Sequence, residues 1–150
     1  MYDLKNRIQA DVKTVMRAQD KETLAVMRFL LAAIKQVEVD ERVTVDDNRL
    51  LIILDKLVKQ RKESISQFEA AGRADLVAKE QFELQILSNY LPIPLTSAEL
   101  DKLLDTAFQH LKPTNISAMG SVMAYLKPLV QGRCDLAQIS QRVKAYLSSL

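Results

Sequence analysis

The chain has 150 residues, of which 48% are hydrophobic and 27% are charged, with three glycines and four prolines. This length suffices for one domain or two small ones with a real core, and the composition is typical of a helical globular protein rather than a disordered one. A single cysteine excludes an internal disulfide framework and suits a reducing compartment. The formal net charge of +2 is too small by itself to indicate nucleic-acid binding.

The longest uninterrupted apolar run extends only from Phe29 to Ile34, whereas a membrane-spanning helix needs roughly 20 apolar residues. The N-terminal region carries charged residues in place of an apolar export segment. We therefore expect a soluble cytoplasmic protein with no membrane partner, and we classify it as bacterial-type.

Apolar residues recur at helical spacing in four segments before residue 92. The first pattern runs from about Asp3 to Ala18, and the second begins near Asp20. Thr44, with an acidic residue three positions later, resembles an N-cap signal for a long third helix. Gly72 is a C-terminal stop signal for that helix, and the fourth pattern follows after Asp75.

Two closely spaced prolines, Pro92 and Pro94, then interrupt the helical pattern because residues before proline favour extended backbone. Thr96 and Glu99 form a capping box for a fifth helix, which Pro113 stops. The predicted fold class is all-α, with an N-terminal four-helix domain, a proline hinge and a C-terminal three-helix domain. The corresponding boundaries are residues 1–91, 92–95 and 96–150.

The segment from residue 119 to residue 135 contains two of the three glycines. Its apolar spacing predicts a sixth helix that ends near Lys127, because Pro128 cannot occupy a helix interior without removing a hydrogen bond. Gly132 permits a turn with positive φ, and Asp135 is predicted to be the N-cap of a last helix over about residues 136–147. This arrangement would leave Lys127, Gln131 and Arg133 on a turn that faces a partner.

Positive charge is concentrated at the C-terminal end of the chain. Residues 113–150 contain four basic side chains and one acidic side chain, for a net charge of +3, whereas residues 1–112 contain 17 basic and 18 acidic ones, for a net charge of −1. Arg142 and Lys144 lie about 200° apart around the last helix. We therefore expect only one of them to share a positive surface with Lys127 and Arg133. A second basic group on the third helix, Lys56, Lys59, Arg61 and Lys62, is interpreted as a solvated face.

Motifs for autonomous catalysis are missing from the sequence. The glycines are too far apart for a phosphate-binding loop, and one cysteine with one histidine cannot complete a zinc site. Cys134 and His110 could act as nucleophile and base, but no orienting partner is readable. Tyr125 and Tyr146 could stack on unpaired bases, although aromatic residues at helical spacing more often belong to a core. We expect no catalytic residue, no metal and no cofactor.

Several of these features together resemble the YqeY family, the free-standing relatives of the C-terminal domain of GatB, the B subunit of aspartyl/glutamyl-tRNA amidotransferase. The resemblance covers nearly the whole chain. The matching positions include Gly72, Arg73 and Asp75 in the turn after the third helix, Pro92 and Pro94 in the hinge, and Gly120, Lys127, Gly132, Arg133 and Asp135 in the tail. We expect Arg73 and Asp75 to fix a helix corner, and Gly120 to allow close helix packing.

The resemblance implies a tRNA-recognising role without catalysis. On this basis the expected partner is tRNA or another structured RNA, with an amidotransferase or other tRNA-handling complex as a further candidate. The predicted RNA contacts are Lys127, Gln131, Gly132, Arg133 and Lys144. Two alternatives remain open: a carbon-nitrogen ligase that uses glutamine as its amide-nitrogen donor, and a helical adaptor that binds another protein.

Overall fold

A computed structural model of the chain describes residues 2–150. Within this range the chain forms α-helices and one short 3-10 turn, with no strand, so the all-α prediction is confirmed. The helices are α1 (Asp3–Arg17), α2 (Lys21–Glu41), α3 (Asp47–Ala70), α4 (Ala74–Ser88), α5 (Ser97–Leu111), α6 (Met119–Val130) and α7 (Leu136–Ser148), and the 3-10 turn is Ile116–Ala118.

Contacts divide the chain into two compact units, one ending at Leu91 and the other beginning at Pro92. The first contains α1 to α4 around a core of aliphatic side chains, whose fully buried members include Ile8, Leu30, Leu50, Leu54 and Leu87. The second contains α5 to α7 around its own core, whose fully buried members include Ala107, Val122, Leu126, Val130, Ile139 and Val143. Whether the two units are independent domains stays a prediction.

Helix starts follow local capping chemistry at most positions. Asp20 accepts a hydrogen bond from the Thr23 amide, and Thr96 with Glu99 completes the predicted capping box. The N-cap of α3 is Asp46, which accepts from the Arg49 amide at 2.9 Å, so the expectation that Thr44 caps this helix is wrong. Val45, between Thr44 and Asp46, is fully buried in the core of the first unit, and the helix begins only after it.

The predicted end of α6 at Lys127 is also wrong, because the helix continues through Pro128 to Val130. Proline removes the hydrogen bond to the carbonyl four residues earlier, here that of Ala124. Both Pro128 and Ala124 lie on the exposed side of α6, where water can reach the helix. Val130 is fully buried, and burying a side chain of this size contributes about 1.5–3 kcal/mol, which favours the extra turn of helix.

The three glycines have different roles. Gly72 has φ +69° and Gly132 has φ +75°, as their predicted turn positions require. Gly120 lies in the first turn of α6 on the exposed side. A Cβ atom added at Gly120 would meet no atom within 4 Å, so the expectation that this glycine permits close helix packing is wrong.

Candidate nucleic-acid interface

The tail cations predicted to contact RNA all belong to the second unit. Lys127 lies in the last turn of α6 rather than on the following turn, and Lys144 lies on α7. Both side chains are exposed, and within residues 2–150 neither makes an ion pair. Both ammonium groups can therefore meet an anion from solution.

Arg133, by contrast, has a structural role within the unit. Its Nε donates to the Ile93 carbonyl at 2.9 Å, and its Nη2 lies 3.5 Å from a carboxylate oxygen of Glu99. The Leu95 amide donates in return to the Arg133 carbonyl at 2.9 Å. Arg133 thus holds residues 93–95 against the turn after α6. Its side chain is 33% exposed, and guanidinium has five N–H donors, so the remaining donors can still meet a phosphate.

The turn between α6 and α7 is shaped by backbone geometry. The Gln131 amide donates to the Lys127 carbonyl, and the half-buried Gln131 ends α6. Gly132 has φ +75° and is buried, so it shapes the turn and offers no side chain to a ligand. Asp135 accepts from the Ala137 amide at 3.0 Å, as its predicted N-cap role requires.

The other cation of α7, Arg142, forms an ion pair with Asp101 of α5. Its charge is therefore neutralised by a neighbour within the unit. Lys144 points away from that pair, because two residues along a helix correspond to a rotation of about 200°. Of the two cations on α7, Lys144 is the one available to a phosphate.

His110 and Cys134, considered above as base and nucleophile, each contact another group of the second unit. The His110 ring stacks on Tyr125 with centroids 5.3 Å apart, and Cys134 Sγ lies 3.6 Å from the Asp135 carbonyl. Among residues 2–150 no group of His, Cys, Asp and Glu side chains could hold a metal ion. In the same range no helix is long and apolar enough to cross a membrane.

Sequence reasoning missed a groove in the first unit. It has a volume of about 660 Å³, and its lining residues are Glu22, Ala25, Val26, Phe29, Arg61, Ala78, Lys79, Phe82 and Glu83. Two of the apolar side chains on it remain exposed, Phe29 at 45% and Phe82 at 37%. The sequence feature that could have indicated this groove is Phe29. This large aromatic residue lies beside the row of buried apolar residues on α2 and not within that row.

At the groove, Arg61 forms ion pairs with two glutamates and lies over an aromatic ring. Its Nε lies 2.8 Å from Glu83 Oε2 and 3.5 Å from Glu80 Oε2. Its guanidinium carbon lies 4.9 Å from the centre of the Phe29 ring, a cation–π distance. Because only 16% of the side chain is exposed, Arg61 does not belong to a solvated basic face. That interpretation fits the other three members of the group, the exposed Lys56, Lys59 and Lys62.

Comparison with known proteins establishes the family. A family profile described as "Yqey-like protein" matches residues 5–147. The chain belongs to this family. It is similar to "Altered inheritance of mitochondria protein 41, mitochondrial" of Pyrenophora tritici-repentis. The two sequences are 33% identical over 141 residues, and the aligned region covers 92% of this chain and 77% of that protein.

Proteins of the same name in two other fungi are also similar. The Eremothecium gossypii protein is 42% identical over 72% of this chain and 61% of its own length. The protein of Saccharomyces cerevisiae strain YJM789 is 39% identical over 65% of this chain and 57% of its own length. The chain therefore spans about three fifths of the length of these two relatives. All three relatives are named as mitochondrial, which contradicts the expectation of a cytoplasmic protein of bacterial type.

Proposed function

We propose that this chain is a non-catalytic helical module that binds RNA, with tRNA as the leading candidate, through its C-terminal unit. Because its relatives are named as mitochondrial proteins, we place this activity in a mitochondrial setting. The observation that carries the proposal is the pair of exposed cations Lys127 and Lys144, which make no ion pair with any described residue, in the C-terminal segment 113–150 with its net charge of +3. Family membership supports a small helical protein, and the RNA itself is our proposal.

The expected binding is mainly electrostatic. Lys127, Lys144 and the free donors of Arg133 provide roughly three phosphate contacts. Each contact releases about 0.7 to 0.9 counterions, so affinity for RNA should fall on the order of 20- to 40-fold between about 50 and 200 mM salt. A protein contact made mainly by apolar side chains would not show this slope.

The test is titration of a tRNA pool with three proteins at several salt concentrations. Lys127→Glu with Lys144→Glu should weaken binding to every tRNA and reduce the fall in affinity to about threefold over the same range, because one contact remains. The matched control is Lys59→Glu with Lys62→Glu, two exposed lysines on α3, which should behave like wild type. If wild type and the variant with Lys127→Glu and Lys144→Glu have equal affinities and equal salt slopes, the surface around these two lysines is excluded as the RNA-binding site.

A second candidate function, a helical protein adaptor, is favoured by the groove of the first unit. Its exposed phenylalanines Phe29 and Phe82 could receive the apolar face of a partner helix. A photo-crosslinking residue at Ala78, which lines the groove, should then capture one defined protein, and Phe82→Glu should abolish the capture. The same residue placed at exposed Lys13 of α1 is the control for unspecific contacts.

A further inference from the structure

An aromatic pair joins two helices of the C-terminal unit at its surface. The rings of Phe108 on α5 and Tyr146 on α7 are nearly parallel, with an interplanar angle of 12° and centroids 3.7 Å apart. Val143 and Leu147 beside Tyr146 on α7 are buried, but Tyr146 is 40% exposed. Phe108 covers one face of the tyrosine ring, so a planar ligand can stack only on the opposite face.

On α7, the charged residue one turn from Tyr146 on the same side of the helix is compensated. Arg142, one helical turn before Tyr146, is paired with Asp101 of α5, so its charge is compensated. Lys144 lies about 200° around α7 from Tyr146 and is unpaired among the described residues. The last helix thus has a neutral aromatic side and a side with a free cation.

A single-stranded RNA offers both kinds of group along its length, flat bases and anionic phosphates. Stacking on an aromatic side chain tolerates any base, because every base has a π-face. Bases inside a duplex are already stacked on both faces, and proteins therefore use aromatic stacking for single strands, loops and bulges.

We infer that Tyr146, backed by Phe108, is a stacking platform for an unpaired base, while the phosphates of the same strand lie towards Lys144. This inference rests on the proposed RNA binding and specifies its substrate class: RNA with at least one unstacked nucleotide, rather than continuous duplex. Tyr146 contributes contact with the base and no charge, so its loss changes affinity without changing the salt dependence.

The experiment uses the full chain and two probes. One is a single-stranded RNA of about 12 nucleotides, a length within the usual range of single-strand site sizes. The other is the same strand annealed to its complement. Tyr146→Leu should weaken single-strand binding by about 5- to 150-fold, the range expected for one lost stack. Duplex binding and the salt slope should stay unchanged. Tyr146→Phe keeps the ring and should retain wild-type binding. Tyr2→Leu, at an exposed tyrosine of the first unit, is the matched control.

A second readout does not depend on affinity. A strand with 2-aminopurine in place of one adenine should lose fluorescence when saturated with wild type or Tyr146→Phe, because the base stacks on the ring, and should keep its fluorescence when saturated with Tyr146→Leu. A circular-dichroism melt verifies that this variant is folded.

The outcomes separate the two proposals. If wild type binds neither probe, or binds without salt dependence, RNA binding by this unit is overturned. If wild type binds with the expected slope but Tyr146→Leu binds and quenches as wild type does, or loses single strand and duplex equally, the stacking platform alone is overturned.

Discussion

Glu38 on α2 connects three segments of the first unit. Its carboxylate accepts from Lys5 Nζ of α1 at 2.9 and 3.0 Å and from the Val45 amide, just before α3, at 3.0 Å. The hydrogen bond from Lys5 is the main reason that the pKa of Glu38 is lowered from its ordinary value, and the Val45 amide adds to it. The charged form of Glu38 therefore stabilises the folded unit.

The sign of the pH dependence follows from this lowered pKa. The contribution of Glu38 is fully present above about pH 4.5, its ordinary pKa, and is lost as the pH falls through the lower folded value. Glu38→Gln should therefore be less stable than wild type at neutral pH, and the difference should shrink as the pH falls below about 4.5. Urea unfolding at a series of pH values measures it, and a difference that is constant with pH would contradict this prediction.

The glycines provide a matched pair of substitutions. Gly120 lies in a helix with open space around it, so Gly120→Ala should raise the free energy of unfolding by about 0.4–1 kcal/mol. Gly72 also has open space but has φ +69°, so Gly72→Ala should lower the free energy of unfolding by about 1–2 kcal/mol. Denaturant unfolding of the two variants compares the stability change at a helical glycine with that at a left-handed one. A loss of stability in Gly120→Ala would contradict the open space around Gly120.

At the scale of residues, local chemistry was predictable and long-range chemistry was not. Thr96, Asp135 and the positive φ of Gly72 follow from rules that involve only neighbours within a few positions. The partners of Arg133 include a carbonyl 40 residues away, and no spacing rule contains that information. From the sequence we therefore expected Arg133 on a turn that faces a partner, and we missed its role as a clamp.

At the scale of elements, the cap of α5 can be separated from the ion pair that shares its glutamate. Thr96→Ala removes the acceptor for the Glu99 amide and should lower the stability of the second unit by about 0.5–2 kcal/mol. Glu99→Gln can keep the capping box, since glutamine also serves there, and loses only the ion pair to Arg133, worth about 0–1 kcal/mol. Thermal melts should rank wild type above Glu99→Gln and Glu99→Gln above Thr96→Ala, and the reverse order of the two variants would mean that Arg133 matters more than the cap.

Helical periodicity predicted every long helix of the chain, and its errors occurred where burial outweighed a local rule. Pro128 was expected to end α6, but the buried Val130 extends it. Thr44 was expected to cap α3, but the buried Val45 moves the cap to Asp46. In both cases a fully buried side chain one or two positions away decided the outcome, and burial cannot be read from a cap or breaker signal alone.

At the scale of the whole molecule, the division near Leu91 predicts where the chain can be cut. Tyr90 is anchored in the first unit, with its hydroxyl 2.6 Å from Asp11 Oδ2, and Leu95 is anchored in the second through Arg133. Limited proteolysis with thermolysin should nick the chain between Leu91 and Thr96, and Arg133→Ala should speed this nicking several-fold by releasing residues 93–95. An intact segment in both proteins would argue against separable units.

Function was less predictable than fold for a physical reason. Helices follow from the spacing of apolar residues, whereas a binding surface depends on which charges remain unpaired after folding. In the part of the folded chain that the structure describes, Lys127 and Lys144 make no ion pair, whereas Arg133 and Arg142 each pair with a carboxylate. The first unit also has a groove that no sequence motif predicted.

The tight turn at Gly72 has a kinetic consequence. It joins α3 and α4 into a helical hairpin whose contacts are close in sequence, and such contacts form early because they close short loops. We expect this hairpin to be part of the folding nucleus of the first unit. Gly72→Ala should then mainly slow refolding and barely change the unfolding rate, which stopped-flow measurements of both arms of the chevron would show.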